Sequence, residues 1–255
     1  MRPDDGMLVA ALRHRGEDIL AERADPWTGC PLLYPWANRL SAERFEVRGR
    51  EVDASSARRD ENGVPLHGFP AARRGWEVEH ADRASVRARR AWEDHAFPFP
   101  HEVMVEHRLG PGGLATVTEV RGDAPVAFGW HPFLLLPGVP RRHWRVTLGS
   151  RRRIALDDRG LPTGASERWA PPPFELRDQH FDESLTEVYG TFALEGGGRR
   201  VEVEFLEGAP YAQFFAPRAE PVACFEPMAA PVDALVRGDG LGWAPWRMRF
   251  EIRVS

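Results

Sequence analysis

The 255-residue chain has no lysine; all 34 of its basic residues are arginines. Without lysine there is no Schiff-base amine, no lysine-anchored pyridoxal phosphate, no P-loop lysine and no kinase-type ATP lysine, so most imine and nucleotide chemistry is excluded. Cysteine is nearly absent. Cys30 and Cys224 are too few and too far apart for a zinc site or a disulfide framework, and they read as small core residues in a reducing compartment. A basic excess is missing too: 38 acidic residues outweigh 34 basic ones, for a net charge of -4, so nucleic acid is not an expected partner. The most apolar window, Ala127 to Val139, is broken by His131, Pro132 and Pro137 and falls well short of the ~20 residues of a membrane helix. Met1 to Ile19 carries scattered charge and no continuous apolar stretch, so no signal peptide is predicted. A soluble, cytoplasmic protein without a membrane partner is the expectation.

Helical periodicity is also scarce. Only short windows, such as Ser166 to Trp169 ahead of Pro171-Pro172-Pro173, are candidates for a turn of helix. What the chain has instead is alternation. Trp246, Met248, Phe250, Ile252 and Val254 alternate with Arg247, Arg249, Glu251 and Arg253, the pattern of a strand with one buried and one wet face. The same period runs through Val103 to Leu109, Leu114 to Val120 and Val201 to Phe205, with Pro111-Gly112-Gly113, Arg121-Gly122-Asp123 and Gly196-Gly197-Gly198 as turns. The 24 Gly and 23 Pro are spread as punctuation and mark no linker. An all-β sandwich forming one domain over residues 1–255 is predicted. The triplet Arg151-Arg152-Arg153 reads as a solvated strand edge rather than a phosphate site.

Two segments set a proton-moving group inside an apolar, strand-like run: Gly129-Trp130-His131-Pro132-Phe133 and Phe225-Glu226-Pro227-Met228. Burial there is costly unless the group has a partner or a task. If Val126 to Phe133 is one strand, Gly129, His131 and Phe133 share a face, and Gly129 leaves space beside the imidazole. If Ala223 to Met228 is another, Cys224, Glu226 and Met228 share a face. Pro132 and Pro227 then end each strand beside its ionisable group. On spacing alone, such a His is more often a hydrogen-bonded core residue and such a Glu more often faces water. Neighbouring segments tip the balance.

The stretch Gly29-Cys30-Pro31-Leu32-Leu33-Tyr34-Pro35-Trp36-Ala37-Asn38-Arg39-Leu40, followed by Arg44-Phe45-Glu46-Val47-Arg48-Gly49-Arg50, closely resembles the aldose 1-epimerase (mutarotase) family. Further blocks follow in that family's order: Leu66-His67-Gly68 with Trp76, Gly129 to Phe133, Leu161-Pro162-Thr163-Gly164, Phe181-Asp182-Glu183-Ser184-Leu185, and Cys224 to Met228. The resemblance implies a large antiparallel β-sandwich of the galactose mutarotase type. It also implies interconversion of the α and β anomers of a sugar. By that match Glu226 is the general base at the C1 hydroxyl and His131 the general acid at the ring oxygen, the roles swapping on ring closure. Reference pKa values of about 4.3 and about 6.5 suit this division if burial raises the Glu and a neighbour keeps the His protonated. The pair is expected to face one cleft from opposite sides of a sugar-sized space without touching.

Three more positions match the family's binding residues. Arg39 would donate paired hydrogen bonds to hydroxyls, His67 would bond near the ring oxygen or O6, and Asp182 would accept from hydroxyls. Their plainer readings are a buried ion-pair partner of a strand acid, a turn residue before Gly68, and a cap or turn residue. Trp36, Trp130 and Trp243 are candidate stacking faces, though in a chain with nine Trp each is more often core. The chain departs from the family pattern at Phe133-Leu134, Ala229 and Asp233, where many members have Tyr-Phe, Thr and Asn. The stretch ahead of the Arg39 block is short, so a reduced N-terminal strand pair is expected. No His/Cys/Asp/Glu cluster has metal-ligand spacing, so no metal or other cofactor is expected. The expected partner is a small sugar, the protein acting as a monomer or homodimer. Two other readings stay open: a hexose-6-phosphate epimerase, hinted at by Arg73-Arg74, and a non-catalytic sugar-binding protein.

Overall fold

A computed structural model describes residues 1–23 and 28–255. The alternating segments pair into two large antiparallel sheets, as predicted. The nine-stranded sheet runs, edge to edge, Phe174–Glu175, Arg145–Thr147, Thr191–Gly196, Arg199–Glu207, Trp246–Val254, Gly113–Gly122, Phe97–Gly110, Ser85–Asp94 and Glu77–Ala81. In Trp246–Val254 the buried residues are Met248, Phe250 and Ile252, and in Gly113–Gly122 they are Leu114, Thr116, Thr118 and Val120. Each large apolar side chain so buried stabilises the fold by about 1.5–3 kcal/mol before entropy is counted. The two buried threonines are bonded. Thr118 Oγ1 accepts from Trp130 Nε1 at 3.0 Å, and Thr116 Oγ1 lies 3.0 Å from His107 Nδ1.

The second sheet carries the site. Its strands are β1 (Leu32–Leu33), β2 (Gly129–Trp130), β3 (Phe133–Leu134), β4 (Ser150–Leu156), β5 (Pro162–Arg168), β6 (Phe181–Val188), β7 (Tyr211–Ala216) and β8 (Ala223–Met228). They lie in the order β5, β4, β6, β7, β8, β2, β1, with β3 also on β8. Along β8 the faces alternate. Phe225 points to the other sheet, 5.6 Å from the Phe192 ring, while Cys224, Glu226 and Met228 point away from it, Cys224 and Met228 into two small apolar clusters on the outer face. On β7, Phe214 joins Phe225 in the core, so its neighbour Gln213 is turned to the outer face beside Glu226.

Several local expectations are corrected. Ser166 lies in β5 and Trp169 just beyond it, with no helical turn; cross-strand pairing with β4, Arg152 opposite Arg168, overrides the local tendency. The α-helix among the described residues is the single turn Ala234–Arg237. Val126 to Phe133 is not one strand. The Ala127 carbonyl accepts from Ala37 N–H at 2.8 Å, the Phe128 carbonyl from Ala229 N–H at 2.9 Å, and His131 N–H turns to Pro31 O at 3.1 Å, which splits the ladder into short pieces. Pro227 does not end β8, which continues to Met228. The Arg151-Arg152-Arg153 triplet lies on β4, between two neighbours rather than at an edge, with Arg153 paired to Glu167 and Glu183.

Candidate active site

β2 and β3 keep one register on β8 despite the break between them. Gly129 is opposite Met228 and Phe133 opposite Cys224, which puts His131 opposite Glu226. Cross-strand neighbours on one face come close enough to bond directly, and His131 Nε2 lies 3.1 Å from Glu226 Oε1. Both side chains are almost fully buried, with 7% and 2% of their surface exposed. The pair therefore sits side by side in contact, not across a gap as expected. Two oxygens carried by one carbon can both be reached from such a pair.

Gly129 does not open space beside the imidazole. A Cβ there would lie 2.9 Å from both the Ala37 Cβ and the Pro227 carbonyl oxygen, so the glycine lets β2 pack tightly on β8 and on the Trp36-Ala37 segment.

Burial drives both members of the pair toward their neutral forms. The Glu226 carboxyl is raised well above its usual range, first by desolvation and then by Asp182, with Arg39 pulling the other way. His131 is lowered to about 3 by desolvation and then by the Arg23 charge, so no neighbour keeps it protonated. Both groups are thus held neutral at rest, the carboxyl protonated and the imidazole uncharged. The second carboxyl oxygen, Oε2, is buried and has no hydrogen-bond partner among the described residues, which leaves it for a ligand hydroxyl.

A cavity of about 300 Å³ opens over this pair, and all five expected residues line it: Arg39, His67, His131, Asp182 and Glu226. Arg39 Nε donates to Asp60 Oδ2 at 2.6 Å and Nη1 to Asp182 Oδ2 at 3.3 Å. It is thus the ion-pair partner of a strand acid, Asp182, and also lines the cavity. Asp182, on β6, also accepts from Gln213 Nε2 at 2.5 Å.

His67 and Asn38 both have left-handed backbones, with φ of 58° and 62°, a region that His and Asn enter more readily than most residues. They clasp each other: His67 N–H donates to Asn38 O at 3.0 Å, and Asn38 N–H donates to His67 Nδ1 at 2.9 Å. Burial, His131 and Arg39 hold His67 well below its usual pKa, so it is neutral and its proton sits on Nε2. Gly68 is needed next to it, because a Cβ would lie 1.9 Å from the Tyr34 carbonyl oxygen.

Gln213, Arg23, Phe133, Phe215 and Asn38 also line the cavity and were not singled out from the sequence as site residues. Gln213 had one signal, a polar side chain in the apolar strand Tyr211–Ala216; its buried Oε1 has no partner among the described residues. Arg23 had none. The expected tryptophans do not contribute. Trp36 and Trp130 are sealed in the core, and Trp243 packs under Arg48, 3.5 Å from its guanidinium carbon. Phe133 and Phe215 supply the apolar wall instead. Asp233 stays outside the cavity: its carboxylate accepts from Ser41 N–H at 2.7 Å and its own N–H donates to Arg39 O, so it fixes the segment that carries Arg39. Arg73 is paired with Asp5, and neither Arg73 nor Arg74 lines the cavity. A larger, open hollow of about 810 Å³ around Trp169, Phe174 and Arg177 holds no buried acid–base pair. No group of three metal-ligating side chains occurs among the described residues, and no helix there is long and apolar enough to cross a membrane.

Comparison with known proteins agrees with this architecture. The family model described as aldose 1-epimerase matches residues 6–235. Among solved structures, a galactose mutarotase related enzyme from Lactobacillus acidophilus is 20% identical with a TM-score of 0.82, over 99% of this chain and 92% of that one. A putative aldose 1-epimerase from Escherichia coli K12 is 20% identical with a TM-score of 0.81, over 99% and 94%. A galactose mutarotase-like protein from Clostridium acetobutylicum is 19% identical with a TM-score of 0.81, over 99% and 90%. No curated protein sequence matches the chain.

Proposed function

The chain belongs to the aldose 1-epimerase family, and on that premise we propose that it interconverts the α and β anomers of a free aldose such as galactose or glucose. The observation that carries this reading is the buried His131–Glu226 pair at the floor of a sugar-sized cavity. One proton must leave the C1 hydroxyl and one must reach the ring oxygen, and the two demands reverse when the ring closes from the other face. A pair that shares one mobile proton meets both. Glu226, once ionised, takes the hydroxyl proton, and His131, once protonated, gives one to the ring oxygen. The 3.1 Å contact lets the resting pair pass between its neutral and charged forms.

Arg39, His67 and Asp182 bind the rest of the sugar in this proposal: guanidinium and imidazole N–H groups donate, and the carboxylate accepts. No other cofactor enters. The two cysteines are free and buried, which suits a reducing, cytoplasmic setting, and we assign the whole chain to one domain.

The charge balance favours a free sugar over a sugar phosphate. Arg39 is engaged by Asp60 and Asp182, Arg23 by Glu220 and Arg73 by Asp5, while neither Arg73 nor Arg74 lines the cavity. Saturation-transfer NMR of anomer exchange across a panel of free sugars and sugar phosphates tests the proposal. Faster exchange with at least one free aldose is the expected result. Tight sugar binding without exchange would replace the enzyme by a binding protein, and exchange confined to phosphates would move the substrate class.

A further inference from the structure

We propose that Arg23 is a positioning residue for His131, acting through the Phe133 ring and braced by Glu220. The proposal rests on the acid–base reading of His131. Torsion about the last side-chain bond of histidine is soft, so packing must set the direction in which Nε2 points. Besides the Glu226 contact at Nε2, Phe133 holds the ring plane: its ring stacks on the imidazole with centroids 4.1 Å apart and planes 19° apart. The edges of His67, at 5.6 Å, and Phe215, at 6.0 Å, enclose the remaining sides.

Phe133 is itself loaded by a cation. The Arg23 guanidinium carbon lies 4.5 Å from the Phe133 centroid, within cation–π range. Arg23 is held there at both ends. Its Nε and Nη2 each donate to a Glu220 carboxylate oxygen at 2.8 Å, the planar fork geometry that lysine cannot reproduce. Its backbone N–H bonds Thr28 Oγ1 at 3.1 Å, and two residues earlier Ala21 N–H donates to Phe133 O at 2.8 Å.

A partly exposed ion pair such as Arg23–Glu220 adds at most about 1 kcal/mol to stability, so its stabilising effect alone gives little reason for this arrangement. Its place does. The guanidinium lines the same cavity as the pair whose ring it helps to aim.

The test uses Arg23→Gln, Arg23→Lys, Phe133→Leu and the Arg23→Gln/Phe133→Leu double variant of the full chain. With a sugar that the wild type exchanges, Arg23→Gln should lower kcat about tenfold with KM within about twofold, the pattern of a misaimed group rather than a lost contact. Arg23→Lys, which restores a cation over the ring, should recover part of kcat. The double variant should be no worse than Phe133→Leu alone, because Arg23 acts through that ring. In parallel, the imidazole Cε1–H resonances are followed by NMR. Arg23→Gln should move the His131 signal and leave those of the buried His101 and His107 in place. Raised KM at unchanged kcat, additive losses in the double variant, or an unmoved His131 resonance would each overturn the proposal. If the wild type exchanges no sugar, the epimerase reading fails, and the NMR comparison alone decides the role of Arg23.

Discussion

His131 and Glu226 meet because one strand of the pair is broken and its register is not. The pieces on either side of His131 pair with β8 at Gly129–Met228 and Phe133–Cys224, and the ladder lapses over Trp130, His131 and Pro132 between them. There His131 N–H bonds Pro31 O and Pro132 has no N–H to offer. Backbone pairing is given up over this short stretch, and at its centre the two side chains pair instead.

That contact makes Glu226→Gln the most direct test of the proposed chemistry. The amide keeps the shape of the carboxyl but cannot take a proton, and loss of a positioned general base costs roughly 10²–10⁴-fold in rate. Anomer exchange should fall by that factor while sugar affinity, read by calorimetry or ligand-observed NMR, stays near the wild-type value. Near-normal exchange by the amide variant would remove Glu226 from the mechanism.

Asp182 should behave differently. It accepts from Gln213 and Arg39 and lines the cavity, so in the proposed complex it contributes binding that is equal in ground and transition states. A hydrogen bond to a charged group is worth about 1.5–3 kcal/mol. Asp182→Asn should therefore raise KM roughly 10- to 100-fold with kcat changed little. A fall in kcat at constant KM would assign Asp182 to the chemical step instead.

Acid should unfold this protein earlier than its carboxylates alone would require. His101 and His107 are lowered to about 4, His131 to about 3, and His67 well below its usual value, in each case chiefly by burial. Between the unfolded value near 6.5 and these folded values, the unfolded chain binds protons that the native chain refuses, so stability is lost as pH falls through that window. His101 and His107 each contribute about 3 kcal/mol to this loss by pH 4. Glu226 and Asp233 act with the opposite sign, their raised pKa values costing stability as pH rises through the carboxylate range, but they are two groups against four. Urea midpoints should drop steeply from pH 7 to pH 4.5. A flat profile would mean that the buried imidazoles ionise in place.

The strands were readable because each buries one face, and period-two alternation records that directly: Trp246–Val254 matches the expected span. The broken segment around His131 was not readable. Its interruptions come from hydrogen bonds to Pro31, Ala37 and Ala229, partners distant in sequence. The five expected site residues do share one cavity, yet the ordered family blocks pointed to them, since spacing alone left His131 a core residue. Arg23 and Gln213 were invisible because an arginine in a loop and a glutamine in a strand take their meaning from what the fold sets beside them. The protonation of His131 was misjudged for the same reason: burial lowers it, and the Arg23 charge works in the same direction.

Two glycines separate the effect of backbone strain from the effect on the site. Gly160 has φ +72° and Gly138 φ +73°, so an alanine at either position meets the same left-handed penalty, about 1 kcal/mol. Around Gly138 a Cβ finds nothing within 4 Å. At Gly160 it would lie 2.7 Å from Arg39 Nη1 and 2.8 Å from Cζ, and the guanidinium cannot yield freely because Asp60 and Asp182 hold it. Gly138→Ala should lose a few degrees in Tm, since a loss of 1 kcal/mol shifts a chain of this size by about 2–4 °C, and Gly160→Ala should lose more, because the braced guanidinium must move as well. Only Gly160→Ala should also raise KM, several-fold or more, by pushing Arg39 out of the geometry that meets the sugar. Equal kinetics for the two variants would mean that Arg39 is braced for stability and makes no contact with substrate.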